Sequence, residues 1–529
     1  MRGGTNHVKK QILACLVMLA AACGSGSVDA QIVTAKVTGG TVQGVVNGNI
    51  VSFKGIPFAA PPTGDLRWRP PQPVASWPNV KLANSFGPGC MQDPAMAVMF
   101  GAPPRVKEDC LYLNVWTPAH TPNERLPVMV WIHGGAFAAG MTSIPLYDGT
   151  HLAQKGVVVV SIAYRLGPFG FLATQQLAQE TGKGSGNYGL LDMIAALRWV
   201  KKNIEAFGGD TSRVTIFGES AGGIAVSMLA ASPQAKGLFQ RAISESGGYF
   251  QPPKYGNEGG ENGLPEKIAE KQGQEFLSNL GTTDVRAART LSAELIQKEA
   301  GPALAARFWP VYDGYVLPGD VYDLYQAGRF NDTPILIGTN SDEGALFARP
   351  GVTSNSFATE VHDGYDAKAS VILAAYPNSN DTEAAVSSKN LFRDTAFAWP
   401  TWTWARLQSR MSKHPAFVYY FDHRTPLSPD GATHGAEMSY VFGNFDPRMG
   451  PPSPADLALA DKISSYWVNF ARTGDPNGTG LPSWPAFDES SQQVLYMDGT
   501  LAPKSIPNLQ QLQALNDYYS WRRLEAHKR

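Results

Sequence analysis

Short apolar runs alternating with helix-patterned stretches constrain this chain more than any other feature. Residues 128–132 and 157–164 are nearly continuous apolar runs, as expected of strands buried on both faces. Residues 190–204 follow with helical spacing, Leu191, Ile194, Leu197, Trp199 and Val200 being apolar. Strands at 214–217, 241–245, 334–338 and 416–422, with helices at 221–231, near 455–473 and at 509–524, continue the alternation. That order predicts an α/β fold: a mostly parallel central sheet with helices on both faces. Residues 42–53 carry an Asn47-Gly48 turn signal and read as an antiparallel hairpin. Residues 57–73 are proline-rich and read as irregular surface. Residues 251–298 and 351–411 read as large helical insertions in one domain.

Composition narrows the function classes. In 529 residues, 43% are hydrophobic and only 17% charged, which excludes disorder driven by net charge. Lys plus Arg is 44 against 45 Asp plus Glu. This balance gives no electrostatic reason to expect nucleic acid or an anionic membrane as partner. Arg2, Lys9 and Lys10 precede an apolar run at 12–22 that is too short to span a bilayer, and small residues follow. This is the pattern of an export signal over residues 1–30, with Gln31 opening a single domain at 31–529 and a secreted or periplasmic destination. Cys23, after Leu19 and three alanines, offers the alternative of a lipid anchor. Cys15 and Cys23 fall in or at the edge of the signal. Cys90 and Cys110 remain, and an oxidising compartment would let them pair. Two cysteines cannot complete the usual four-ligand zinc site, and neither Cys-x-x-Cys nor His-Glu-x-x-His occurs, so no metal and no cofactor is expected.

Gly218-Glu219-Ser220-Ala221-Gly222 carries the strongest chemical signal. It joins a predicted strand directly to a predicted helix, a turn so tight that the serine hydroxyl is thrust out of the sheet. A nucleophilic serine needs a base, an orienting acid and oxyanion donors. His133-Gly134-Gly135-Ala136-Phe137 ends the strand at 128–132, where the N–H groups of Gly134 and Gly135, with that of Ala221, are placed to hold an oxyanion. On this fold the acid and then the histidine follow the serine in the chain. His434 and His423 both compete as base, one in a flexible loop after the last strand and one at that strand's end. His362, His414 and His527 read as surface residues. Asp342 and Glu343, side by side after the strand at 334–338, compete as acid. Gly184 to Gly189 matches a dinucleotide fingerprint, but the polar stretch before it is no strand.

These residues resemble the type-B carboxylesterases, the family that includes the cholinesterases. The likeness lies in residues 53–59, 108–115, the His133 glycine loop, the Ser220 elbow, Asp342-Glu343-Gly344, 434–437 and 470–476, and so covers nearly all of the chain beyond the signal. It implies an α/β-hydrolase fold and ester hydrolysis by Ser220, Glu343 and His434. It also implies a Cys90–Cys110 disulfide and structural ion pairs Arg67–Glu108 and Arg165–Asp192. The same triad serves amide, carbamate or lactone hydrolysis, and non-catalytic binding relatives also exist; those typically lose a triad residue, which this chain keeps. The loop 91–107 contains no tryptophan, whereas cholinesterases place there the ring that holds a quaternary ammonium. Met96, Val98, Met99 and Phe100 make it apolar. The resemblance therefore implies a bacterial-type exported esterase acting on a small-molecule ester, not a choline enzyme.

Overall fold

A computed structural model describes residues 31–93, 95, 98, 105–253, 263–301, 308–447 and 450–526. The export signal, Cys23, Met96, Met99, Phe100 and His527 lie outside the described residues. The main sheet has eleven strands: β1 (Val45–Asn47), β2 (Ile50–Pro57), β3 (Tyr112–Thr117), β4 (Leu126–Ile132), β5 (Val158–Ile162), β6 (Gly209–Glu219), β7 (Arg241–Glu245), β8 (Ile335–Asn340), β9 (Ala416–Phe421), β10 (Gln493–Met497) and β11 (Leu501–Ser505). Their spatial order is β11-β10-β9-β8-β7-β6-β4-β5-β3-β2-β1. Strands β4 to β10 are mutually parallel. Antiparallel pairs flank them at both ends, including the β1–β2 hairpin around Asn47-Gly48.

Strand periodicity explains why the central strands read as unbroken apolar runs. Val128, Val130 and Ile132 of β4 face one core, while Met129 and Trp131 face the other. On the first face lie α1 (Tyr188–Asn203) and α2 (Ala221–Ala231), and on the second α5 (Pro454–Thr473). Every residue of α2 is buried, which fits a helix apolar all round. The later insertion supplies α3 (Asp381–Arg393) and α4 (Trp399–Met411), and α6 (Leu509–Ala526) ends the described chain. Among the described residues of 251–298, helices span Glu266–Asn279 and Val285–Arg289 and a third runs from Ala293 to Ala300, while Leu264–Pro265 forms a short strand paired with Val311–Tyr312.

Two expected ion pairs anchor this frame. Arg165 grips Asp192 of α1 through Nε and a terminal nitrogen, each at 2.8 Å, and its backbone N–H adds a third bond. Both side chains are essentially buried. Arg67 meets Glu108 with two bonds of 2.6 Å and also donates to the carbonyls of Ala288, Arg289 and Leu291. Removing one partner of a buried pair strands the other charge, which costs about 3–5 kcal/mol. Asp192→Asn should therefore lower unfolding free energy by roughly that amount; a urea titration showing a loss below about 1 kcal/mol would contradict this reading.

Candidate active site

Ser220 stands between the last residue of β6 and the first of α2, with φ 55° and ψ −126°. A backbone so far from the allowed regions costs on the order of 1–3 kcal/mol and persists only where the surroundings over-determine it. Here Ser220 N–H donates to the Glu245 carbonyl at 2.9 Å, and Ile224 N–H donates to the Ser220 carbonyl at 2.8 Å. Gly222 lies against β4: a Cβ on it would come 2.0 Å from the Ile132 carbonyl oxygen. The elbow therefore admits no side chain at that position.

The glycine loop after β4 presses on the elbow from the other side. A Cβ on Gly134 would lie 2.8 Å from the Glu219 carbonyl oxygen and 3.0 Å from Ser220 Cβ. Gly135 has φ +107°, and Ala136 and Phe137 also have positive φ. Among the described residues, the N–H groups of Gly134, Gly135 and Ala221 find no hydrogen-bond partner. The loop is held by neighbours instead. His133 stacks on Tyr164 at 4.5 Å, and burial pushes its imidazole down to about 4, against a 2.9 Å contact with the Gly134 carbonyl. Gln92 bonds both backbone groups of Gly140 at 2.8 and 2.9 Å. It lies two residues past Cys90, which is joined to Cys110 as expected.

The competing acids and bases have different partners. His434 Nδ1 lies 2.6 Å from Glu343 Oε2. Glu343 is fully buried, and its other oxygen accepts from Asn340 N–H at 2.7 Å and from the Ser246 hydroxyl. Asp342 points away, paired with Lys389 at 2.7 Å. His423 Nε2 meets Asp456 at 2.8 Å, and Tyr440 donates to the same carboxylate. The His434 loop is pinned to the end of β8: Asp342 N–H donates to the Ala432 carbonyl, and Asn340 Nδ2 to the Thr433 carbonyl, each at 2.8 Å. Gly184 to Gly189 follows a helix, Gln175–Thr181, and Asn187 there exchanges hydrogen bonds with the Val311 backbone.

Sequence reasoning missed the buried acids around the imidazole. His434 Nε2 lies 3.2 Å from Glu219 Oε1, without the alignment of a hydrogen bond. Burial pushes the Glu219 carboxyl up to about 7, with His434 opposing and Glu343 adding to the shift. Burial likewise pushes Glu245 up to about 8, against a 2.8 Å bond from Trp467 Nε1. Glu437, buried beside Asn340, is held well above the carboxylate range. For His434 burial opposes the charged ring, but Glu219 and Glu343 outweigh it and raise the imidazole above its ordinary value. Glu219 was visible in the Gly-Glu-Ser-Ala-Gly motif as an unassigned position. Ser246, at the carboxyl end of β7, was recoverable only from the rule that ligands gather at that edge of a parallel sheet.

A serine on a strained strand-to-helix turn, beside idle N–H donors and a carboxylate-bound imidazole, defines a hydrolase of the α/β class. The carboxylesterase family model matches residues 29–515, and the chain belongs to that family. It is a carboxylic ester hydrolase. The para-nitrobenzyl esterase of Bacillus subtilis is 37% identical over 511 residues, covering 92% of this chain and 98% of that one. The fumonisin B1 esterase of Sphingopyxis macrogoltabida is 36% identical, covering 86% and 85%. Among solved structures, a PNB esterase superposes with a TM-score of 0.81 at 35% identity, covering 91% of this chain and 99% of that one.

Proposed function

We propose that the chain hydrolyses small-molecule carboxylic esters by two-step acyl transfer, with Ser220 as nucleophile, His434 as base and Glu343 as the orienting acid. The observation that carries this reading is the 2.6 Å contact between His434 Nδ1 and Glu343 Oε2 beside the strained Ser220 elbow. As Ser220 Oγ bonds to the ester carbonyl carbon, its proton passes to His434 Nε2, and Glu343 stabilises the imidazolium. The N–H groups of Gly134, Gly135 and Ala221 receive the oxyanion, a term usually worth several kcal/mol. Collapse expels the alcohol, which takes the proton from Nε2. Water activated by the same imidazole then releases the acid. The chain from Gln31 onward acts as one catalytic unit, exported by the signal at residues 1–30, and the Cys90–Cys110 bond supports an oxidising destination.

Methanol partitioning tests the shared intermediate. Phenyl and p-nitrophenyl esters of one acid should give the same ratio of methyl ester to free acid, because both pass through one acyl-enzyme. A ratio that changes with the leaving group would exclude that intermediate. The kcat/KM values for nitrophenyl esters of increasing acyl length identify the preferred acyl group.

Acid–base behaviour follows from the carboxylates around His434. A raised imidazole value means that the base form is lost early as pH falls, so the acidic limb of kcat/KM should lie above the ordinary ~6.5. Glu219→Gln removes one of the raising charges and should move that limb to lower pH. A limb at or below 6.5 in the parent enzyme, unmoved by Glu219→Gln, would show that Glu219 does not act on the imidazole.

A further inference from the structure

A local break in a helix lies directly against the imidazole. α3 and α4 would form one continuous helix but for a π-turn at Asp394–Ala398 between them. Pro400 accounts for the break, since it has no N–H to donate and its ring crowds the carbonyl four residues back. π-turns of this kind occur often at functional sites.

Strong contacts fix this one in place. Asp394 is fully buried, and Oδ1 accepts from Arg393 and Asn508 while Oδ2 accepts from the Tyr376 hydroxyl at 2.9 Å. Gln251 donates to the Thr395 carbonyl at 2.8 Å. Gly248 has room for no Cβ, because Pro400 would lie 2.9 Å from it. The π-turn is thus packed on the segment after β7, whose Ser246 bonds Glu343.

The turn presents Phe397, 1% exposed, to His434. The rings stack with centroids 4.5 Å apart and planes 23° from parallel. Phe347 adds an edge contact to the same imidazole at 5.5 Å, and Phe392 packs on Phe347 at 4.6 Å. An aromatic face attracts a cation much more than a neutral ring. Imidazole is neutral before attack and charged at the tetrahedral stage, so the stacked face favours the later state. This is the differential binding that accelerates a step.

We propose that Phe397 is a positioning residue, held by the π-turn so that its face stacks on His434 and stabilises the imidazolium formed when Ser220 gives up its proton. The inference rests on His434 being the base. The other groups that act on this ring are Glu343 at Nδ1, Glu219 near Nε2 and Glu437 from the same loop.

Replacing Phe397 by 4-fluoro- and then 3,4,5-trifluorophenylalanine drains the ring's negative face while nearly preserving its shape. Thermal melting identifies any variant that is misfolded, and Phe397→Leu supplies a second, non-aromatic variant that keeps an apolar fill. Along the fluorine series kcat/KM should fall stepwise, by roughly two- to thirty-fold in all, the span of a cation–π contact. The acidic limb should move to lower pH in the same order, because the imidazolium loses a stabilising partner. Phe397→Leu should lie at or beyond the trifluoro variant in both measures. Rates and limbs that stay constant along the series overturn the proposal. So does a rate loss with an unmoved limb, which marks a purely structural role. His434→Ala measured in parallel keeps the two readings apart. If it is inactive while the series is flat, only the Phe397 proposal fails; if it is as active as the parent, the base assignment fails and this inference with it.

Discussion

Ser220→Ala should remain folded and lose esterase activity by a factor on the order of 10⁶, as happens when the nucleophile of a comparable triad is removed. The fold should tolerate the change. Alanine keeps the Cβ, so it adds no new clash at φ 55°, and the two backbone hydrogen bonds that hold the elbow do not involve the hydroxyl. Among the described residues Ser220 Oγ makes no hydrogen bond, so no buried partner is stranded when it goes. Steady-state hydrolysis of p-nitrophenyl acetate, beside a melting curve, checks both halves. A variant that melts normally yet keeps more than about a hundredth of the activity would remove Ser220 from the mechanism.

His434→Ala should be almost as damaging, because loss of either the nucleophile or the base disables the whole unit. His423→Ala is the informative contrast. His423 bonds Asp456, which also accepts from Tyr440 and caps the start of α5 together with Ser453. Its loss should cost stability of about 1 kcal/mol and leave kcat/KM within a few-fold. Urea titrations and esterase rates on the two variants measure this difference. An inactive, well-folded His423→Ala protein with an active His434→Ala counterpart would reverse the assignment of the base.

The central strands were legible because each buries both faces. Val128 to Ile132 feeds alternate side chains into two cores, and no polar position interrupts the run. Strands β10 and β11 were not read from the sequence. β11 lies at the sheet's edge, where Lys504 and Ser505 face solvent and no apolar run reveals it; β10 lies inside that edge and buries only the short run Val494, Leu495 and Met497. The bounds of β8 shifted from 334–338 to Ile335–Asn340 because Thr339 and Asn340 pair with Tyr420 and Phe421 of β9, contacts that no local pattern encodes.

The site divided in the same way. Ser220, Gly134 and Gly135 stood out because a tight elbow and a glycine loop demand particular residues at fixed offsets. The choice between Asp342 and Glu343 could not be made locally. Asp342 pairs with Lys389, while Ser246, 97 residues away in sequence, bonds Glu343, and neither contact is local. His423 and His434 were likewise separated by distant partners, Asp456 for one and Glu343 for the other. Glu219, Glu437 and Phe397 act on the imidazole only through tertiary placement, which a single sequence does not disclose.

Reaction with a fluorophosphonate tests the central claim most directly. The reagent needs an activated serine beside an oxyanion site, and it leaves a stable phosphonyl ester where it reacts. Peptide mapping by mass spectrometry should find one adduct per chain, on Ser220, with activity lost in proportion to labelling. The Ser220→Ala protein should take up none. An adduct on another residue that tracks the loss of activity, or full activity with Ser220 wholly modified, would contradict the account.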